Sequence, residues 1–488
     1  MIKHHMKKLF RRKPVELIIT ESLETEDGLK RSLSLTNLTA LGIGAIIGTG
    51  IFVLTGTAAA NYAGPALTIS FIISAFGCAM AGLCYAEFAS MLPVAGSAYA
   101  YSYSTLGEFI AWFIGWNLVL EYLFAAGTVS VGWSGYMVSF LDGIGLHIPT
   151  TLTGAPFANV GGHWVLSGSI INLPAVFIVA VIAAMLLRGT KQSAVVNNII
   201  VFIKILVIVL FIGFGLSYID TKNWIPYIPQ NTGSFGHFGW SGIMRGAGVI
   251  FFAYIGFDAV STVAQEAKNP QRDMPRAIML SLVICTVLYV LVTAIATGIV
   301  HYTKLDVSAP IALAIDTAGV KWLSPFIKLG AIAGLTTVVL VMSMGQARIF
   351  YAMSKDGLLP KFFGKVNKNK TPVNSTLVTA VAAALIAGLL PINVLGELVS
   401  IGTLSAFVIV SVSVLILRKT HPGLKRPFKT PLVPLVPVLG AVVCAAQMIA
   451  LPPDTWIRLV VWTIVGFIIY FAYSRTHSRL HVAEAETK

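Results

Sequence analysis

Two glycine-rich runs hold the residues best suited to chemistry: Leu41-Gly-Ile-Gly-Ala-Ile-Ile-Gly-Thr-Gly-Ile-Phe52 and Gly248-Val-Ile-Phe-Phe-Ala-Tyr-Ile-Gly-Phe-Asp258. Each lies inside an apolar stretch of membrane-crossing length, the first and the sixth of the chain. Glycine accepts backbone conformations that other residues resist, so a helix can unwind at these points. An unwound helix exposes N–H and C=O groups that hydrocarbon cannot satisfy. Such a break must line a polar cavity or be buried in protein, and a cavity at that depth is where a carried solute binds.

In the first run, Gly48-Thr49-Gly50 would aim free N–H groups and the Thr49 hydroxyl into the cavity, and such donors suit a carboxylate. The half-helix after the break adds a positive dipole end, while carbonyls left near Ile46 accept from an ammonium. Close helix packing through small residues is the competing account, since Gly44 and Gly48 are four apart, and this span alone does not choose. In the sixth run, unpaired carbonyls at Phe252, Ala253 and Ile255 are offered to an α-ammonium. Asp258 would organise them directly or through water, or would only cap the broken helix.

Lys204 stands in Ile199-Ile-Val-Phe-Ile-Lys-Ile-Leu-Val-Ile-Val-Leu-Phe211 with no carboxylate near it in sequence. Burial disfavours an ammonium and neighbouring carbonyls favour it, so a site whose hydration changes between two conformations could load and release a proton. The alternative is snorkelling to the membrane face near Asn197 and Asn198. Glu121, in Trp116-Asn-Leu-Val-Leu-Glu-Tyr122, is a second carboxylate in an apolar span that could face a substrate side chain, pair with a base or shuttle protons. Met342 and Met344 either trim a side-chain pocket or simply pack. Glu87 is expected at the inner interface. Cys78, Cys84, Cys285 and Cys444 show no metal-ligand spacing and read as packed thiols. No metal and no cofactor are expected.

The elements that must position these groups are membrane spans. Of the 488 residues 56% are apolar and 11% charged, and the mean hydropathy is +0.82, far from a soluble domain. Twelve spans are expected at 38–62, 66–90, 107–139, 171–188, 195–217, 243–264, 277–300, 323–351, 375–391, 393–417, 432–450 and 457–473, most near or above the ~20 residues needed to cross. The ninth and tenth meet at a tight Leu390-Pro-Ile-Asn393 turn. With both termini cytoplasmic, 27 of the 34 Lys and Arg fall on the inner side, as short cytoplasmic loops require. The formal charge of +14 is then a loop excess facing anionic lipid, and no nucleic-acid partner is expected. Residues 1–35 form a basic cytoplasmic tail expected to lie on the inner leaflet, without a cleavable signal peptide.

The spans divide into two five-span halves, 36–218 and 219–418, each opening with a glycine-broken helix. Because five is odd, the second enters from the opposite side, giving an inverted repeat with the site between the broken helices 1 and 6. Two extra helices occupy 419–474 and a cytoplasmic tail 475–488. Phosphate-cradling GxxxxGK[ST], HExxH and CxxC pairs are absent from the sequence, which argues against an enzyme and against ATP-driven transport by this chain alone.

Gly42 to Phe52, Phe251-Phe-Ala-Tyr-Ile-Gly-Phe-Asp-Ala-Val-Ser261, Glu266-Ala-Lys-Asn-Pro-Gln-Arg-Asp-Met-Pro275 and Ser354-Lys-Asp-Gly-Leu-Leu-Pro360 together resemble the amino acid–polyamine–organocation superfamily, nearest to bacterial permeases of the cationic amino acid transporter family. The resemblance runs from about Ser34 to Lys419. It implies the all-α leucine-transporter fold, alternating access, and an L-amino acid held by its carboxylate at Thr49 and Gly50 and by its ammonium at the carbonyls of Ile46, Phe252 and Ile255. Lys204 becomes the proton-coupling residue, resembling a fixed substitute for a sodium ion. The expected function is proton-coupled, sodium-independent symport of neutral amino acids at the bacterial cell membrane, with Ala253, Asp258, Glu121 and Met342 completing the site. An exchanger, or a carrier of cationic amino acids, is the alternative. A small membrane partner protein is compatible with this reading and not legible from it.

Overall fold

The computed structural model describes residues 11–13, 33–91, 97–160, 163–188, 194–258, 260, 267–367 and 371–480. The expected surface-lying tail 1–35, the end of the sixth span at 261–264 and most of 475–488 fall largely outside these residues.

The described residues are predominantly helical. Helix α1 (Leu35–Ile46) starts where the Ser34 hydroxyl caps it, accepting from the Asn37 N–H at 3.4 Å. Its continuation after the break passes through two π-helical turns, Gly50–Leu54 and Ala59–Ala63, around α2 (Thr55–Ala58). Gly64, at φ 58°, then turns the chain into α3 (Leu67–Met91). The later helices are α4 (Ser97–Thr105), α5 (Glu108–Gly143), α6 (Leu173–Leu187), α7 (Ala194–Gly215), α8 (Gly239–Ile250), α9 (Pro270–Ile299), α10 (Pro310–Thr317), α11 (Leu323–Lys355), α12 (Val373–Leu389), α13 (Ile392–Thr420), α14 (Leu435–Ala450) and α15 (Pro453–Ile469). Proline in the first turn opens α6, α9, α10 and α15, where its missing N–H costs nothing.

Among the described residues, seven helical segments are long and apolar enough to cross a membrane, one of them the folded-back run Gly50–Met91. Four shorter apolar helices, α1, α6, α12 and α14, join them. The turn between the ninth and tenth spans lies where expected, at Leu390 and Pro391. Hydropathy alone missed α4, α10 and a small antiparallel hairpin, Phe157–Val160 with His163–Leu166. None of the three crosses, so none carries the long apolar run that marks a span.

Packing divides the helices into two bodies. In one, α9 lies along α3 and α1; in the other, α11 lies along α5 and α12 along α6. Helix α13 bridges α5 and α14, and α14 returns to α3. Helix α15 is fixed to α5 by a reciprocal indole pair: Trp116 Nε1 donates to Trp462 O at 2.8 Å, and Trp462 Nε1 to Trp116 O at 3.1 Å. Trp112 Nε1 donates to Gly466 O at 3.0 Å.

Charged networks close both ends of the bundle. At one, Lys13 pairs with Asp356 at 2.8 Å, whose other oxygen accepts from the Tyr99 hydroxyl at 2.6 Å. Glu108 accepts there from Tyr103 and Tyr470, both at 3.1 Å, and from Ser478. At the opposite end, Glu397 accepts from Thr455 at 2.7 Å and Arg458 at 3.3 Å. Glu87, near the end of α3, is 1% exposed. Arg418 grips it at 2.7 Å and 3.2 Å, Arg426 lies 3.3 Å away, and the Thr430 N–H donates to it at 2.7 Å. The Arg418 fork, the neighbouring Arg426 charge and a backbone donor replace the water that a buried carboxylate would otherwise need. The four cysteines are free and buried, as their spacing implied.

Removing that carboxylate charge leaves two guanidinium groups facing a neutral amide. Glu87→Gln should cost roughly 3 kcal/mol, the cost of breaking a buried ion pair. An unchanged unfolding midpoint in detergent would show that the cluster contributes nothing.

Candidate functional site

Both glycine-rich runs are broken. Helix α1 stops at Ile46, Ile47 turns extended (φ −71°, ψ 103°), and helical backbone resumes at Thr49 (φ −56°, ψ −29°). Helix α8 ends at Ile250, a single tight turn covers Phe251–Tyr254, Ile255 is extended (ψ 136°), and Gly256 sits at φ 116°. That last conformation requires glycine. A helix that restarts at Thr49 leaves its first-turn N–H groups without intrahelical acceptors, pointing back toward the break.

The two breaks touch. A Cβ on Gly50 would lie 2.2 Å from Ala253 Cα, and one on Gly256 would lie 2.7 Å from Ala45 O. Ile46, Thr49, Phe252, Ala253 and Ile255 are all buried, so in this conformation the breaks are enclosed by protein. Thr49 Oγ1 is buried with no hydrogen-bond partner among the described residues. Its neighbour is α5, where a Cβ on Gly132 would come within 3.0 Å of that oxygen. Gly48 faces Val338 of α11 at 3.3 Å by the same measure.

Lys204 belongs to the break. Fully buried, its Nζ donates to Gly44 O at 2.8 Å and Ile47 O at 3.1 Å, the carbonyls freed as α1 ends. Its stem runs along Gly334 of α11, where a Cβ would sit 2.8 Å from Cε. This geometry excludes snorkelling. No carboxylate among the described residues lies within ion-pair distance, and the Gly44 and Ile47 carbonyl dipoles hold the ammonium.

The sequence implies unpaired carbonyls at Phe252, Ala253 and Ile255, and the structure pairs the first two. Ala253 O and Ile46 O share the Tyr289 hydroxyl of α9, each at 2.9 Å, and Phe252 O accepts the Ile255 N–H at 3.2 Å. One phenol therefore ties the two broken helices together, and each carbonyl keeps its second lone pair. Nothing in the sequence singles out Tyr289 from the surrounding apolar span.

Asp258 and Glu121 are each 1% exposed, and Tyr122, which follows Glu121 on α5, reaches Asp258. Tyr122 donates to Asp258 Oδ2 at 2.8 Å, while Glu121 Oε1 is buried without a hydrogen-bond partner among the described residues. Glu121 stands eleven residues along α5 from Gly132, about 16 Å by helical rise, and so lies well away from Thr49. Two carboxamides missed by the sequence reading, Asn117 and Gln346, are buried with both amide atoms unpaired among the described residues. Asn117 is one turn from Glu121 on the same face; a neutral amide inside an apolar span was the available signal. Met342 is buried on α11 between Val338, which faces Gly48, and Gly345, which lies against the Tyr122 ring.

Residues 33–470 match the family described as Amino acid permease. The chain is 47% identical to the methylthioribose transporter of Bacillus subtilis, over 98% of this chain and 100% of that protein. It is 48% identical to the branched-chain amino acid permease of the same organism, over 97% and 99%. It is 38% identical to the vacuolar cationic amino acid transporter 4 of Arabidopsis thaliana, over 86% of this chain and 68% of that protein.

Two substitutions test the geometry without reference to any solute. Gly50→Ala puts a methyl group into the Ala253 backbone and should lower stability by about 1–3 kcal/mol through overpacking. Tyr289→Phe strips a donor from two buried carbonyls at a comparable cost of about 1–3 kcal/mol. Wild-type melting in both variants would mean that the breaks are not held together as described.

Proposed function

We propose that this chain, which belongs to the amino acid permease family, carries neutral L-amino acids by alternating access, driven by protons and without sodium. It is a transporter and not an enzyme, and it passes the membrane several times. The finer reading rests on the paired breaks with Lys204 between them. First-turn N–H groups at Thr49 and Gly50 suit a carboxylate, and the remaining lone pairs on the carbonyls of Ile46, Phe252, Ala253 and Ile255 suit an ammonium.

A neutral side chain is favoured because Val338 and Met342 border this level while Glu121 stands about 16 Å away along α5. The branched-chain permease relative agrees with that preference. The methylthioribose relative supports a second reading, a neutral thioether sugar bonded to the unpaired Thr49 hydroxyl.

Proton coupling is supported by the Lys204 contacts. While its ammonium bridges Gly44 O and Ile47 O, α1 is held against α7. Loss of the proton leaves a neutral amine that holds those carbonyls without the assistance of a charge, and the weaker bonds free α1 to move. Glu121 and Asp258, two buried acids linked through Tyr122, the residue after Glu121, form a second protonatable level beside the path. The equivalent-helix contacts α3 with α9, α5 with α11 and α6 with α12 support an inverted repeat of five spans, 36–218 and 219–418, in a twelve-span leucine-transporter fold. The basic end is assigned to the cytoplasm of a cell membrane by its Lys and Arg excess.

Purified protein in vesicles should accumulate labelled alanine or leucine under an inward proton gradient in sodium-free buffer, and Lys204→Ala should abolish accumulation. Undiminished gradient-driven uptake by that variant would overturn the coupling role. Competition separates the substrate readings: leucine should displace the label best, whereas stronger displacement by arginine or methylthioribose would replace the neutral amino acid assignment. Met342→Ser should widen the range of competitors.

A further inference from the structure

The last turn of α13 and the segment that joins it to α14, residues 418–434 together, contain Arg418, Lys419, Lys425, Arg426 and Lys429 and no acidic residue. Its extended part alternates. Leu424, Arg426, Phe428 and Thr430 turn inward, while Lys425, Pro427, Lys429 and Pro431 are exposed. The inward face is fixed: Arg426 lies against Glu87 at 3.3 Å and donates to the carbonyls of His421 and Leu424, each at 2.8 Å. The Phe428 N–H donates to Ser90 Oγ at 3.2 Å, and Thr430 Oγ1 to Leu83 O at 3.1 Å. Both arginines are therefore engaged with the interior, and the outward charge is carried by Lys419, Lys425 and Lys429.

Helix α14, which the strap leads into, sets its depth. Leu435, Val438, Val442 and Ile449 of α14 are 53%, 43%, 57% and 69% exposed, at spacings that line one face of a helix. That face is the lipid-facing stripe of a span, and it begins one residue after the strap, with Leu432 (73% exposed) at the junction. The lysines thus stand where hydrocarbon gives way to headgroups, with stems able to lie along the apolar side and ammonium groups at phosphate level.

We propose that this strap is a binding surface for the phosphodiester headgroups of anionic lipids in the adjoining leaflet. The fit is one of charge and depth: cations without competing carboxylates, on a face that cannot turn inward because its other face is anchored to Glu87. Headgroups held there brace the inner ends of α3 and α13 against one another. The inference is independent of which solute is carried.

The test is thermal unfolding of purified protein in a neutral detergent, titrated with phosphatidylglycerol, phosphatidylcholine or inorganic phosphate. Phosphatidylglycerol should raise the melting temperature saturably, and the other two should not. In the triple variant K419Q/K425Q/K429Q the half-saturating phosphatidylglycerol concentration should rise at least about tenfold, three cations having been removed from the surface. The charge-preserving variant K419R/K425R/K429R should behave as wild type, and it separates loss of charge from loss of folding. Equal stabilisation by phosphatidylcholine, stabilisation by phosphate alone, or an unshifted titration in the triple glutamine variant would each overturn the proposal.

Discussion

A peptide group released from a helix in the middle of a membrane has no water to turn to, and that constraint organises this protein. Where α1 and α8 unwind, each freed group whose partner can be traced is met by a specific neighbour. Lys204 takes Gly44 O and Ile47 O, and Tyr289 takes Ile46 O and Ala253 O. Those two side chains come from different helices, α7 and α9, so the unwound geometry depends on the surrounding bundle being assembled. What stays unsatisfied is informative for the same reason. The Thr49 hydroxyl, one Glu121 oxygen and the carboxamides of Asn117 and Gln346 are buried polar groups lacking partners among the described residues, and sites of that kind accept a ligand, a water or a proton.

The helix pairs give this site its walls. Helix α5 supplies Gly132 beside Thr49 and, farther along, Tyr122 and Glu121; α11 supplies Val338 beside Gly48 and Gly334 beside the lysine stem. Glycines at these contacts set how closely neighbouring segments approach, since Gly50 against Ala253 and Gly334 against Lys204 leave no room for a methyl group. Networks around Asp356 and Glu108 at one end and Glu397 at the other close the bundle above and below the breaks. The structure is thus an enclosed state, with its polar groups paired at the ends and partly unpaired within.

Much of this was legible because the signals were local. Glycine spacing located both breaks, Pro391 located the turn between α12 and α13, and the isolated ammonium marked Lys204 as needing partners. The identity of those partners was not legible, since Lys204 and Gly44 are 160 residues apart and only folding joins them. Tyr289 left no trace, because one tyrosine in an apolar span is ordinary until its hydroxyl is seen between two carbonyls. The partners of Glu87 were illegible for a related reason: the arginines that bury it come from more than 300 residues away. The short elements α4 and α10 escaped because hydropathy reports crossing and not mere helicity.

The indole pair between α5 and α15 reaches beyond the finished fold, to the order in which it forms. Trp112 and Trp116 find their acceptors 354 and 346 residues later in the chain, so one side of α5 stays incomplete until almost the whole polypeptide has entered the membrane. Insertion and assembly are then separated in time. During that interval, two large aromatic side chains must wait against lipid, where an insertase or chaperone has its opportunity to act.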